Sequence, residues 1–195
     1  MLAVFLIALS YFFLDARLAL YIDGLIKGSD LLTDATSDIP DVLLQIVIIG
    51  TILCWTGYFF LTHRGVQNRH TRFLRVCGTI LPVAFIAKDI GQYVFGRSDV
   101  HAWVAYSRLP RFFWFRMAGG YGCFPSGHMT VFTALGASLS YFYPRNRLIY
   151  HSLLILLGVL LVGSDYHFLS DVMAGAFLGA LVAFLLGAGK DADKA

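Results

Sequence analysis

The sequence predicts an all-α fold: a polytopic membrane helical bundle of about six transmembrane helices, forming one domain over residues 1–195. Three observations carry this expectation. The 195 residues are 58% hydrophobic and only 14% charged. Their mean hydropathy is +0.71, and the charges cluster rather than spread as they do over a soluble surface. Five runs, at roughly 43–62, 73–95, 125–143, 148–164 and 168–188, approach the ~20 apolar residues that cross ~30 Å of hydrocarbon.

The N-terminus, MLAVFLIALSYFFL, is apolar for 14 residues before Asp15 and Arg17. It lacks a basic leader and a small-x-small cleavage site, so it reads as a retained first span rather than a removed signal peptide. From Asp15 to Asp41 six Asp stand against Arg17 and Lys27, which places this segment outside. Arg64, Arg69, Arg72 and Arg75 follow the second span, and Arg145 and Arg147 follow the fourth; the positive-inside rule makes both loops cytoplasmic. Six spans with both termini inside then satisfy every loop except 97–124, which lies outside yet carries Arg97, Arg108, Arg111 and Arg116. A loop that breaks the charge rule is a candidate for binding an anion.

The net charge of +3 suits a membrane surface or an anionic headgroup and gives no reason to expect nucleic acid. Cys54 and Cys77 fall within spans and Cys123 stands alone outside, so no intramolecular disulfide framework is expected. No repeat or soluble domain is evident, and the tail GKDADKA reads as a frayed end.

On this topology three polar clusters converge on the outer face. The first is Lys88 to Arg97. A lysine within an apolar span is costly unless partnered, and its plain alternative is a side chain snorkelling to the interface. The second is FPSGHMT at 124–130. Pro125 suits a first helical turn and leaves the N–H groups of Ser126, Gly127 and His128 open to an anion, with Gly127 permitting close approach and His128 able to protonate a leaving oxygen. The third is YHFLSD at 166–171. His167 and Asp171 are four apart, so on a helix the carboxylate would accept from one ring nitrogen and leave the other bare. For the last two, the plain readings are an ordinary helix start and a mutually satisfied His–Asp pair. A metal centre on His128, His167 and Asp171 is not expected, because no further ligand presents itself at favourable spacing. Polar groups gathered at one face also argue against a transporter or channel.

With these clusters in place the chain resembles the type 2 phosphatidic acid phosphatase superfamily, the membrane-embedded lipid phosphate phosphatases, over about residues 40–188. That pattern runs K-x6-R-P, then P-S-G-H, then S-R-x5-H-x3-D. PSGH at 125–128 matches completely, and HFLSDVMAG at 167–175 matches the end of the third motif. The resemblance implies a metal- and cofactor-independent hydrolase. His167 would attack phosphorus to give a phosphohistidine, Asp171 would orient it, and His128 would protonate the departing lipid oxygen. Lys88, Arg97, Ser126 and the Gly127 N–H would hold the phosphoryl oxygens.

Two departures stand out. Lys88 and Arg97 are nine residues apart rather than seven, which requires the helix to end or bend before Arg97, with Gly96 the obvious place. Counting back from His167, the third-motif arginine position holds Leu161, so Arg108, Arg111 or Arg116 would have to replace it. Losing one charge-assisted phosphate contact costs on the order of 1.5–3 kcal/mol.

The aromatic stretch Leu109 to Arg116 reads either as a lid over a headgroup or as an interfacial anchor. The expected partner is a lipid presented by the bilayer, with undecaprenyl diphosphate slightly favoured by the number of loop arginines. The expected location is a bacterial inner membrane with the site toward the periplasm. Two rivals stand beside this reading: a phosphatase-like headgroup binder without turnover, and a lipid-to-lipid phosphotransferase.

Overall fold

The computed structural model describes residues 1–28, 42–106, 112–116 and 121–188. Among them are seven helices. Helix α1 runs Leu2–Lys27, with its middle turn, Ser10–Leu14, widened to a π-helix. Then follow α2 (Leu43–His63), α3 (Arg69–Phe95), the short α4 (Val100–Ala105) and α5 (Gly127–Phe142). Helix α6 is Arg147–Gly163, and α7 is Leu169–Ala183, continued by a π turn Phe184–Ala188. No strand occurs among the described residues; chain pairing is limited to isolated bridges from Arg97 to Phe112 and from Ser98 to Tyr121.

Each of the five internal runs read from the sequence is a helix. Among the described residues, four helices are long and apolar enough to cross a membrane: Leu2–Lys27, Leu43–His63, Pro144–Gly163 and Leu169–Gly187. The other two long ones are exceptions for different reasons. Helix α3 has 27 residues but carries Arg69, Arg72, Arg75, Lys88 and Asp89. Helix α5 has 16 residues, about 24 Å of rise.

Side chains and glycines set the boundaries. Asn68 accepts from the N–H groups of His70 (2.9 Å) and Thr71 (3.1 Å), capping α3. At its far end Gly96 turns left-handed, with φ at 50°, and its N–H donates to Gln92 O at 2.8 Å. A Cβ there would stand 1.9 Å from Phe113 O, so the helix stops before Arg97 at a glycine that no other residue can replace without moving the 112–116 segment. Ser126 rather than Pro125 opens α5: its Oγ accepts from Met129 N–H at 3.4 Å, which puts Pro125 before the cap instead of in the first turn.

The core lies between α2, α3, α5 and α7, where Leu43, Val47, Ile80, Ala84, Val131, Ala134 and Val182 are buried together. Helix α7 packs on α5 through Gly175 and Gly179, a small-xxx-small pair of the kind that lets membrane helices approach. A Cβ on Gly179 would stand 2.2 Å from Thr130 O, and one on Gly175 2.6 Å from Ser126 O. Both obstacles are backbone atoms. Gly179→Ala is therefore expected to destabilise the bundle by about 1–3 kcal/mol, lowering the unfolding midpoint in detergent by about 2–4 °C per kcal/mol. Gly24→Ala, where a Cβ meets nothing within 4 Å, should leave it unchanged or raised.

Helix α6 sits at the periphery and buries only Gly158 and Leu161. Its outer face, with Leu148, Leu153, Ile155, Val159 and Leu160, and that of α2, with Ile49, Ile52, Leu53 and Phe59, are more than half exposed apolar surface. Surface of this extent belongs in hydrocarbon. The chain is a membrane protein.

Candidate active site

Pieces distant in sequence meet at one end of the bundle around a cavity of about 380 Å³. The last turns of α3 supply Lys88 and Gln92, the first turn of α5 supplies Gly127 and His128, and the α6–α7 connection supplies Tyr166 and His167. The segment after α3 adds Asp99, His101, Tyr121 and Cys123. They come from helix ends and the segments that join them, where side chains from different helices can converge.

Lys88 is 8% exposed and pairs with Asp89 Oδ1 at 2.8 Å. Its Nζ lies 3.4 Å from Gln92 Oε1 and 4.2 Å over the Phe85 ring. Gln92 in turn donates to Pro125 O at 3.2 Å, tying the end of α3 to the start of α5. At Gly127 a Cβ would stand 3.1 Å from Lys88 Cδ, so the absent side chain makes room for the lysine stem. His128 is half-buried, with its ring edge-on to Tyr166 at 6.0 Å between centroids.

His167 differs from the helical pair read in the sequence. Helix α7 begins at Leu169 with Phe168 as its cap, so His167 precedes the helix and its N–H donates to Leu161 O at 3.1 Å. Its ring does not hydrogen-bond Asp171: Nδ1 stands 3.7 Å from Asp171 Oδ2. The nearer partner is Cys123, whose Sγ is 2.9 Å from Nδ1. The physical reason is that Asp171 is engaged elsewhere. Its Oδ2 accepts from Phe168 N–H at 2.9 Å, capping α7, and its Oδ1 pairs with Arg97 Nη1.

Arg97 lies behind the cavity rather than in its wall. It is fully buried, with Nη2 2.6 Å from Asp15 Oδ2 and Nη1 2.6 Å from Ser170 Oγ. Phe168, Tyr11, Phe112 and Phe124 surround it, the nearest ring centroid at 4.2 Å. Burial works against its charge, yet Asp171 and Asp15 together outweigh that and hold its pKa above the ordinary value. Asp15 also accepts from Ser170 N–H at 3.0 Å and from Ser10 Oγ at 3.2 Å, so α1 is bolted to the start of α7.

Ser126 also departs from the sequence reading. It is fully buried, its N–H donates to Asp171 O at 3.0 Å and its hydroxyl caps α5, so neither is open to the cavity. Leu161, in the place of the third-motif arginine, is buried in an apolar cluster with Met129 and Val172. Arg116 is exposed beside Tyr121 and Phe113, its guanidinium 4.6 Å from the Tyr121 ring, and does not line the cavity. Arg108 and Arg111 lie outside the described residues.

Sequence reasoning missed Asp15 and Cys123. Asp15 carried a signal, being a carboxylate that interrupts an apolar run five residues after Ser10. Cys123 carried only its place beside FPSGH. Burial, above all, and then Asp171 push the Cys123 thiol well above its usual pKa, so it stays protonated. Cys123, His167 and Asp171 bring one ligand-type atom each within 4.8 Å of one another. Both oxygens of Asp171 are already engaged, so a metal cation entering there would have to displace Arg97.

Near the cavity rim Asp165 is 2% exposed, with φ at 57° and His101 Nδ1 3.9 Å from its Oδ2. Burial raises its pKa from 3.8 to about 6, against the opposing pull of His101. A raised carboxylate takes up protons on folding, so its ionisation weakens the fold as pH rises from about 4 to about 6. Asp165→Asn should therefore raise the unfolding midpoint at pH 7. The gain should shrink on acidification through pH 6 and vanish near pH 4, a profile that melting curves across this range would check.

A helical membrane bundle that gathers three histidines, a lysine and the first turn of a helix into one cavity has the architecture of an enzyme handling phosphate esters at a membrane. The PAP2 superfamily model matches residues 86–190, more than half of the chain, and the chain belongs to that superfamily. A crystal structure described as the first transmembrane PAP2 type phosphatidylglycerolphosphate phosphatase from Bacillus subtilis aligns over 91% of this chain and 92% of its own, at 20% identity and a TM-score of 0.38. No curated protein matches the chain.

Proposed function

We propose that this chain is a metal-independent lipid phosphate phosphatase working through a phosphohistidine. The observation that carries this is the meeting of His167 and His128 across one cavity with Lys88 and the start of α5. Nδ1 of His167 faces Cys123 and Asp171, which leaves Nε2 to attack phosphorus in line. The P–O bond to the lipid breaks, the leaving oxygen takes its proton from His128, and a water then releases phosphate from His167 with His128 as base. Lys88 and the N–H groups at the start of α5 stabilise the phosphoryl oxygens as charge builds on them. Arg97 supports the site by holding Asp171 rather than by gripping phosphate.

The substrate class is a bilayer lipid. Beside the cavity, past Gly91 and Pro125, an apolar groove of about 830 Å³ runs between α1, α3 and α7, lined by Ile7, Tyr11, Ile90, Val94 and Phe177 and roofed by Phe112 and Trp114. It gives acyl or prenyl tails a path while the phosphate reaches the histidines. On this reading the whole chain is one domain with six spans, the cavity faces the periplasm across a bacterial inner membrane, and undecaprenyl diphosphate is a fitting substrate.

One observation favours a second reading, headgroup binding without turnover. Lys88 is the sole lysine or arginine lining the cavity among the described residues, and Asp89 already pairs with it. Phosphate release by the detergent-purified protein, with chelator present, over lipid mono- and diphosphates decides between them. Release establishes the phosphatase; headgroup binding with no release from any lipid establishes the second reading.

A further inference from the structure

We propose that Cys123 is a positioning residue for His167: its thiol sulfur accepts the Nδ1 proton, fixing the tautomer that leaves Nε2 bare. The inference rests on the phosphatase reading of His167 and adds a residue which neither the motifs nor the family assignment supplies.

A single proton decides which way this contact runs. A neutral thiol has one S–H to give, and Cys123 Sγ has the Tyr166 carbonyl as an acceptor at 3.6 Å. The same sulfur lies 2.9 Å from His167 Nδ1. With the thiol proton directed to the carbonyl, the contact with Nδ1 is satisfied only if the ring nitrogen is the donor. A ring carrying its proton on Nδ1 has an unprotonated Nε2, the form a nucleophile requires. Were the thiol to donate to Nδ1 instead, Nε2 would carry the proton and could not attack.

Geometry leaves this task to the cysteine. Asp171, the carboxylate four residues on, is held 3.7 Å away by its bonds to Arg97 and Phe168 N–H. The sulfur is held in place from behind, because Cys123 N–H donates to Arg97 O at 3.1 Å. Burial keeps the thiol neutral, with Cys123 6% exposed. The groups facing the imidazole from neighbouring elements are Cys123, Asp171, Tyr166 and, across the cavity, His128. During attack the ring becomes cationic. The Nδ1 proton stays on the ring, pointing at sulfur, while the electron pair of the breaking P–O bond leaves with the lipid oxygen that His128 protonates.

Two measurements test this. In ¹⁵N-histidine-labelled protein in lipid nanodiscs, with the His167 signals assigned by their absence from His167→Gln, the expected state is Nδ1 protonated and Nε2 bare. The opposite tautomer in the wild type overturns the proposal. In kinetics, Cys123→Val removes the acceptor at similar volume and should lower kcat ~10–100-fold, with KM within twofold. Cys123→Ser, whose hydroxyl both donates and accepts, should return kcat to within a few-fold of wild type. A valine variant as active as wild type, or a serine variant as poor as the valine one in a folded protein, also overturns it. Absence of phosphate release by the wild type would sink the phosphatase reading alone, because the tautomer measurement still decides the Cys123 contact.

Discussion

Replacing His167 with alanine is expected to lower phosphate release on the order of 10⁴-fold or more, with no acid-labile phosphoenzyme formed. His167 is 6% exposed, its backbone is anchored to Leu161 and its ring is held on the Nδ1 side, so the attacking nitrogen is set in place before substrate arrives. His128→Ala should cost less, about 10²–10⁴-fold on a lipid phosphate. Its loss should shrink on an aryl phosphate, whose leaving oxygen needs no proton. Equal losses on both substrates would deny His128 the acid role, and a His167→Ala variant that still forms phosphoenzyme would place the nucleophile elsewhere.

The second large effect is on stability. Arg97→Leu leaves Asp15 and Asp171 facing one another without their shared cation in a site that water does not reach. Breaking a buried ion pair in this way costs about 3–5 kcal/mol. The variant should express poorly and melt well below the wild type. Asp15→Asn should be milder, because Arg97 keeps Asp171. In the Arg97→Leu background Asp15→Asn should recover part of the loss by removing one unpaired carboxylate. A direct phosphate contact predicts something else: a raised KM with unchanged melting, and no dependence on Asp15. Thermal unfolding and KM measured on the same preparations separate the two roles.

The sequence made the helices and the meeting of the clusters legible, because apolar length and polar interruptions are both written linearly. The stop before Arg97 was legible from Gly96 and the nine-residue spacing. The sequence did not disclose how the charges divide. Lys88 and Arg97 both read as phosphate ligands from their residue types, but one lines the cavity and the other is sealed among Asp15, Asp171 and aromatic rings. That distinction depends on α1, whose contact with α7 joins residues 155 apart. His167 and Asp171 misled for a local reason. Four-residue spacing implies a shared face only inside a helix, and the chain enters α7 two residues too late for His167 to be in it. Ser126 was similar: a hydroxyl beside a glycine and a histidine looks available, yet at a cap position it serves its own helix.

The bolt between Asp15 and Arg97 bears on how the chain is made. Asp15 leaves the ribosome 82 residues before Arg97 and 155 before Ser170. At ~5–20 residues per second its carboxylate waits on the order of ten seconds for a partner. During that interval the Ser10 hydroxyl, five residues back on the same helix, donates to the carboxylate beside the bilayer. Arg97 then brings the cation that pairs with it in the folded bundle, and the seat closes when α7 brings Ser170 and Asp171. The bundle is therefore closed like a clasp: a helix made early is made fast by one that follows 155 residues later, and the cavity end of the molecule is finished in the same event.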